Sequence, residues 1–166
     1  MHFEPNNMSK IKLKHILPIL IISLSGCMKD YEEINSLSVK VDGELWTAKN
    51  VYCDYNQTMK RAMISAFKPI GVTDKELLFI SFDMNGTGIY PFTEDYTKAQ
   101  SSFTAAPYGM FLSYETKNPE GEIVVTEFDT INQIISGTYT FVAYHDSVIK
   151  KVFTEGKFNK IHYIKH

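Results

Sequence analysis

The groups best suited to chemistry in this sequence are the thiol of Cys53 and the imidazoles of His145, His162 and His166. A cysteine nucleophile needs a base within hydrogen-bond reach. Cys53 and His145 are remote in sequence and no motif links them. A lone cysteine in the run Val51-Tyr52-Cys53 reads instead as a buried, inert thiol. No Gly-x-Ser-x-Gly elbow is present to expose a serine. His162 and His166 are four apart, a spacing that gathers metal ligands on a helix, but Lys157 to Tyr163 reads as strand. Tyr144-His145-Asp146 reads as a turn. Asp83-Met84-Asn85-Gly86-Thr87-Gly88 places oxygen ligands ahead of a glycine, as the start of a calcium loop does. Glu94 then holds the twelfth position, but Tyr90, Pro91 and Phe92 intervene. Asn-Gly is itself a strong hairpin signal, so a plain turn is the expectation here. Glu32-Glu33 and Asp129 offer no identifiable carboxylate pair. The expectation is no catalytic residue, no metal and no cofactor.

The other thiol, Cys27, has a definite context. Lys10, Lys12 and Lys14 precede the apolar run Ile16-Leu17-Pro18-Ile19-Leu20-Ile21-Ile22-Ser23-Leu24, and Ser25-Gly26 supplies small residues before the cysteine. A basic head, a short apolar middle and small residues at a cut site make a secretory signal. The run is far below the roughly 20 apolar residues of a membrane span, and Pro18 interrupts it. Leu24-Ser25-Gly26-Cys27 resembles the lipobox of bacterial lipoproteins, which implies that the Cys27 thiol is alkylated by a diacylglycerol and becomes the first mature residue. Glu4 is out of place in a basic head, whereas Met8-Ser9-Lys10 opens a compact one, so Met8 is the expected start.

Three segments follow: residues 1–26 as signal peptide, 27–36 as lipidated cysteine and tether, and 37–166 as a single domain. Met28-Lys29-Asp30-Tyr31-Glu32-Glu33 is short, polar and acidic. It reads as a solvated tether. It also resembles the lysine-plus-acidic export signals of some Bacteroidota surface lipoproteins. The expected site is the outer membrane, with the cell-surface face preferred over the periplasmic one.

The chain carries 17 basic and 19 acidic side chains. Residues 1–26 hold three of the former and one of the latter, leaving 14 against 18. A mildly acidic body lacks the basic footprint that nucleic acid requires. With Cys27 acylated, Cys53 has no disulfide partner, so the domain must be held by its core.

The elements that carry that core read as strands. Runs rich in Val, Ile, Thr, Tyr and Phe alternate with turn residues from Leu37 onward. Leu37, Val39 and Val41 alternate with polar residues, Asp42-Gly43 marks a tight hairpin, and Glu44 to Ala48 returns. Further strands are expected at 51–55, 61–67, 77–82, 89–92, 108–114, 123–128, 134–144, 148–154 and 157–163. Leu77 to Phe82 is nearly all apolar and reads as covered on both faces. Pro91 marks a strand edge or end. Asp95 to Ser101 is the one segment that suggests a short helix. The pattern implies an all-β domain, an antiparallel sandwich or a barrel.

Four segments occur in order: Val39-Lys40-Val41-Asp42-Gly43-Glu44-Leu45-Trp46-Thr47-Ala48, Gly88-Ile89-Tyr90-Pro91, Ile134-Ile135-Ser136-Gly137-Thr138-Tyr139-Thr140-Phe141, and Val152-Phe153-Thr154-Glu155-Gly156-Lys157-Phe158. Together they resemble an uncharacterised family of Bacteroidota lipoproteins with the pattern VDGxxWxA … ISGTFxF … VxITNGxF. Tyr139 stands where the family has Phe, and Phe153 and Glu155 where Ile and Asn are frequent. The resemblance implies an all-β domain of unknown function at the envelope and carries no catalytic residue. Gly43, Gly137 and Gly156 suit turns or bulges where a side chain would clash. Trp46 and Phe141 suit the core, and a buried Trp46 needs a partner for its indole N–H.

Aromatic residues are abundant: 10 Tyr, 11 Phe and one Trp. They serve first as sheet packing, and an exposed subset would form a stacking surface. Trp46, Tyr90 and Tyr108 are the candidate ligand contacts, with Tyr52, Tyr55, Tyr96 and Tyr114 also available. The expected function is a non-enzymatic, monomeric, lipid-anchored domain that binds a small molecule, glycan or protein. The alternatives are a structural or assembly lipoprotein acting on other envelope proteins, and then a hydrolase. Cys27→Ala removes the thiol at the cut site, so metabolic labelling with a palmitate analogue should be lost; label persisting in the variant contradicts lipidation.

Overall fold

The computed structural model describes residues 34–71, 74–116 and 118–166. The signal segment, Cys27 and nearly all of the tether lie outside them. The described residues contain no helix and form one sheet of eleven strands. In chain order these are β1 (Ser36–Val41), β2 (Glu44–Thr47), β3 (Asn50–Asn56), β4 (Arg61–Pro69), β5 (Lys75–Asp83) and β6 (Gly88–Pro91). Then come β7 (Ala99–Ala105), β8 (Gly109–Leu112), β9 (Gly121–Asp129), β10 (Ile134–His145) and β11 (Ile149–Lys165).

The sheet has two well-paired halves, β2-β1-β11-β10-β9-β6 and β3-β4-β5-β7-β8. Two thin seams join them into a closed ring. One is the parallel pairing of β11 with β3 over Tyr163 to Lys165, and the other a single bridge between Tyr144 of β10 and Leu112 of β8. The fold is therefore a sandwich whose corners are closed by strands that change sheet, in line with the sandwich-or-barrel expectation.

The long strands make those corners because they are bulged. Between Tyr139 and Phe141 of β10, the partner β11 spends one extra residue, and it does so again between Ile135 and Gly137. Glu155 (φ 52°) and Lys160 (φ 46°) sit in the left-handed region at these points. A bulge bends its strand and increases the local twist, which lets β11 run across both sheets. The sequence suggested two strands separated at Gly156. The interruption is a bulge inside one 17-residue strand.

Alternation along each strand drives one row of side chains inward. Leu37 and Val39, Ala62, Ile64 and Ala66, and Tyr139, Phe141 and Ala143 are all buried. Seven fully buried aromatic residues, Tyr139, Phe82, Phe103, Phe111, Phe141, Phe153 and Phe158, fill the interior. Phe141 and Phe153 lie parallel with centroids 4.0 Å apart.

Asp42 (φ 53°) and Gly43 (φ 89°) form the expected β1–β2 turn, both in the left-handed region. Such turns match strand twist, and glycine adopts this backbone at no steric cost. Pro91 ends the edge strand β6, as anticipated.

Other expectations need correction. Asp95 to Ser101 is not helical: Thr93 to Lys98 is a turn region fixed by the Asp95 carboxylate, and β7 begins at Ala99. Asn85-Gly86 closes no hairpin, because β5 pairs with β4 and β7 whereas β6 pairs with β9. The turn carries the chain from one half-sheet to the other. In β5, Leu78, Ile80 and Phe82 are buried while Leu77 and Phe79 are half-exposed, so its outer face is only partly covered.

Gly137 and Gly156 are required by space. A Cβ on Gly137 would lie 2.1 Å from the Val124 carbonyl oxygen and 2.5 Å from the Phe158 ring. On Gly156 it would lie 2.5 Å from the Tyr139 carbonyl oxygen and 2.7 Å from its ring. Overpacking of this kind costs about 1–3 kcal/mol or more. Gly137→Ala and Gly156→Ala should therefore each lower the urea midpoint of the lipid-free mature chain; an unchanged midpoint contradicts the close approach.

Candidate functional site

With its interior filled by side chains, the domain offers a concave surface at its rim. A cleft of about 380 Å³ opens at the end formed by the β1–β2 turn, the end of β4, the start of β5, the β7–β8 connection and the start of β11. Trp46 and Phe103 form its apolar floor, edge to face at 6.0 Å and 83°. Tyr108 and Leu45 line it from exposed positions. Its charged residues are Asp42, Glu44, Lys68, Glu76 and Lys151.

Trp46, Glu76, Asp42 and Lys151 are each placed by a local device. Trp46 faces inward on β2, where its neighbours Leu45 and Thr47 face out. Its indole N–H donates to Glu76 Oε2 at 2.7 Å. This supplies the partner that a buried indole requires, and a carboxylate acceptor makes the bond stronger than a neutral one. Asp42 accepts the Val152 amide at 2.8 Å and pairs with Lys151 Nζ at 3.1 Å. The aspartate of the turn thus clamps the β1–β2 hairpin to β11 while shaping the cleft wall. Lys151 also lies 5.4 Å from the Phe111 ring centroid.

Two of the three candidate contacts from the sequence, Trp46 and Tyr108, line this one cleft. Tyr90 does not. It is half-buried against Phe82, and its hydroxyl donates to the Gly86 carbonyl at 2.7 Å while the hydroxyl oxygen accepts the Asn85 amide at 3.2 Å. It lines a separate depression of about 390 Å³ with Asp83, Asn85 and Lys98. Sequence reasoning missed Glu76, Lys68 and Lys151. Only the pleat alternation at Trp46, with its need for an indole acceptor, pointed toward a partner such as Glu76.

The remaining titratable residues are dispersed. Cys53 is 3% exposed, and its thiol is pushed up to about 12 from 9.0, first by burial and then by the Asp54 charge. His145 packs on Phe111 and its Nδ1 sits 3.0 Å from the Met110 carbonyl. His166 pairs with Asp54 at 3.0 Å, and His162 lies exposed on β11. Asp83, the head of the suspected calcium loop, pairs with Arg61 at 2.8 Å. Among the described residues no three His, Cys, Asp or Glu side chains gather as metal ligands do. Cys27 lies outside the described residues.

The cleft can therefore offer an apolar floor, an exposed phenol ring and carboxylates of fixed orientation. Trp46→Ala should destabilise by about 3–5 kcal/mol, the cost of emptying a buried aromatic site, as read by urea denaturation. An unchanged midpoint would place the ring outside the core.

The raised Cys53 pKa favours the folded, protonated thiol. Its contribution to stability is complete below about 9 and declines as pH climbs from 9 toward about 12. In a chain that begins at Met28 and so keeps Cys53 as its one thiol, the folded protein at pH 8 should resist a disulfide thiol reagent and react fully in urea. Rapid labelling when folded contradicts the burial.

No curated protein and no solved structure matches this chain. One family model does, over residues 34–162, from just ahead of β1 to near the end of β11. That family is described as a domain of unknown function, DUF6252, and the match, spanning most of the chain, makes this protein a member of it.

Proposed function

We propose that the chain is a lipid-anchored, non-catalytic binding protein of the bacterial outer membrane, holding a glycan or a similar polyhydroxylated small molecule in the Trp46–Tyr108 cleft. The observation that carries the reading is the cleft itself. Its volume of about 380 Å³ falls within the range of about 300–1,000 Å³ usual for small-ligand sites. An exposed aromatic ring beside oriented carboxylates suits a sugar, which presents an apolar ring face and a rim of hydroxyls.

Binding rather than turnover is supported by how the ionisable groups are engaged. Glu76 holds the indole, Asp42 holds β11 and Lys151, and the Cys53 thiol is buried and protonated. None is paired as nucleophile and base. The anchor on Cys27 and the Bacteroidota setting rest on the signal, the lipobox and the resemblance carried by the four sequence segments. Export to the cell surface rests on Lys29-Asp30 and the acidic residues after them.

Trp46 is the sole tryptophan, so its fluorescence reports directly on the cleft. Titration with a panel of soluble glycans should change that emission for at least one class. Tyr108→Ala should weaken the same binding about tenfold, the equivalent of about 1.4 kcal/mol, without shifting the melting temperature. Turnover of glycosidase, esterase or peptidase substrates that vanishes on mutating one ionisable residue would overturn the proposal. Silence toward every glycan, with capture of an envelope protein instead, would favour an assembly role.

A further inference from the structure

The end of the domain opposite the cleft carries a different surface. β1 enters at Ser36 and runs to the Asp42-Gly43 turn at the cleft, so Ile34 and the cleft mark opposite ends of this strand. Three segments dock along the final stretch of β11 and just past it, at Lys160, Tyr163 and His166. Asn35 donates its amide to the Lys160 carbonyl at 3.2 Å, Gln57 to the His166 carbonyl at 3.0 Å, and Tyr163 donates its amide to the Gln133 carbonyl at 3.0 Å. Beneath them Tyr55, Phe128 and Tyr163 pack together with centroids 5.2–5.7 Å apart.

Each segment exposes a large apolar side chain. Ile34 is 65% exposed, Met59 in the β3–β4 turn 71%, and Ile131 in the β9–β10 turn 89%. Their own turns are already fixed by polar groups: the Asn56 side chain accepts the Met59 amide at 2.8 Å, and the Asp129 carboxylate accepts the Ile131 and Asn132 amides at 2.8 and 2.9 Å. The apolar side chains are thus not needed to form the turns. Lys60 and Lys165 are exposed at the same end. Among the described residues, Asp129 is engaged with its turn and Asp54 with His166.

We propose that Ile34, Met59 and Ile131 form a three-point seat on a lipid bilayer, inserting at the headgroup boundary with Lys60 and Lys165 against lipid phosphates. The cleft then points away from the membrane. The inference rests on the reading of Cys27 as the lipid anchor. Six residues separate Cys27 from Ile34, seven steps along the chain with a reach of at most about 25 Å fully extended, so the entry end is held close to the bilayer. One acylated residue with a short tether restrains position but not orientation. Apolar tips that bury about 5–10 Å into the interface set the orientation.

The test uses the full mature lipoprotein in vesicles of phosphatidylethanolamine and phosphatidylglycerol. Its mass first establishes acylation of Cys27. An environment-sensitive fluorophore is then placed on Met59→Cys, Ile131→Cys and, as a control, Leu45→Cys. Leu45 is 70% exposed at the cleft end, which matches Met59; Cys53 is buried and stays unlabelled. With brominated lipids, emission at 59 and 131 should fall at least about twofold, as for groups at interfacial depth, while emission at 45 stays unchanged. An acylated protein with no quenching at 59 and 131, or with equal quenching at all three positions, overturns the seat and leaves the anchor standing. An unmodified Cys27 overturns the anchor reading, and the seat with it.

Discussion

Gly137 and Phe158 face each other across β10 and β11, and two residues further along, Tyr139 faces Gly156. Each glycine leaves the space that the opposing ring fills, so the two pairs interlock in opposite senses. Phe141 and Phe153, the next aromatic pair in register, then stack at 4.0 Å. Phe153 in turn meets Phe103 of β7 at 5.3 Å, and Phe103 meets Trp46 of β2. A continuous aromatic stack therefore runs from the central hairpin to the floor of the cleft. Aromatic contacts of this type are worth about 0.5–1.5 kcal/mol each beyond the area they bury.

The same interlock sets the shape of the sheet. With no Cβ at Gly137 or Gly156, the backbones of β9, β10 and β11 approach closely, and the bulges at Glu155 and Lys160 turn β11 around the core. Only a strand bent in this way can pair with β1 and β10 in one half-sheet and reach β3 in the other. Because aromatic side chains fill the interior, a ligand site must lie at the rim. The rim cleft is built from the ends of strands that the core already holds rigid. A site so supported needs little ordering on binding, which favours affinity.

The sequence was most legible where alternation used large apolar residues. β1 alternates Leu37 and Val39 against Ser36, Ser38 and Lys40, and its pattern reads directly as a pleat. β7 obeys the same rule, with Ala99, Ser101, Phe103 and Ala105 inward, but three of those four side chains are small. Its hydrophobic signal is too weak to compete with a helical reading of the preceding turn. The β10 and β11 motif was recognisable as a pattern, yet its meaning lies in pairings that only register reveals. Gly156 looks like a strand boundary until Tyr139 is seen to lie over it. The site was legible by residue type and not by partnership. Trp46 and Tyr108 stood out as aromatics, whereas Glu76 and Lys151 acquire roles only through contacts 30 and 109 residues distant in sequence. Tyr90 shows the converse: its type suited ligand contact, but its hydroxyl is engaged in fixing the Asn85-Gly86 turn.

The central claim is that the β10–β11 interlock holds the rest of the domain together. Native-state amide hydrogen exchange tests it most directly, since it resolves which strands open locally and which only with global unfolding. The amides from Tyr139 to Phe141 and from Phe153 to Phe158 that are hydrogen-bonded within the sheet should exchange last. Their opening free energy should equal the stability measured by urea denaturation, while the edge strands β2 and β6 open well below it. Exchange of the β10 and β11 amides by local opening, with β4 and β5 still protected, would contradict the account.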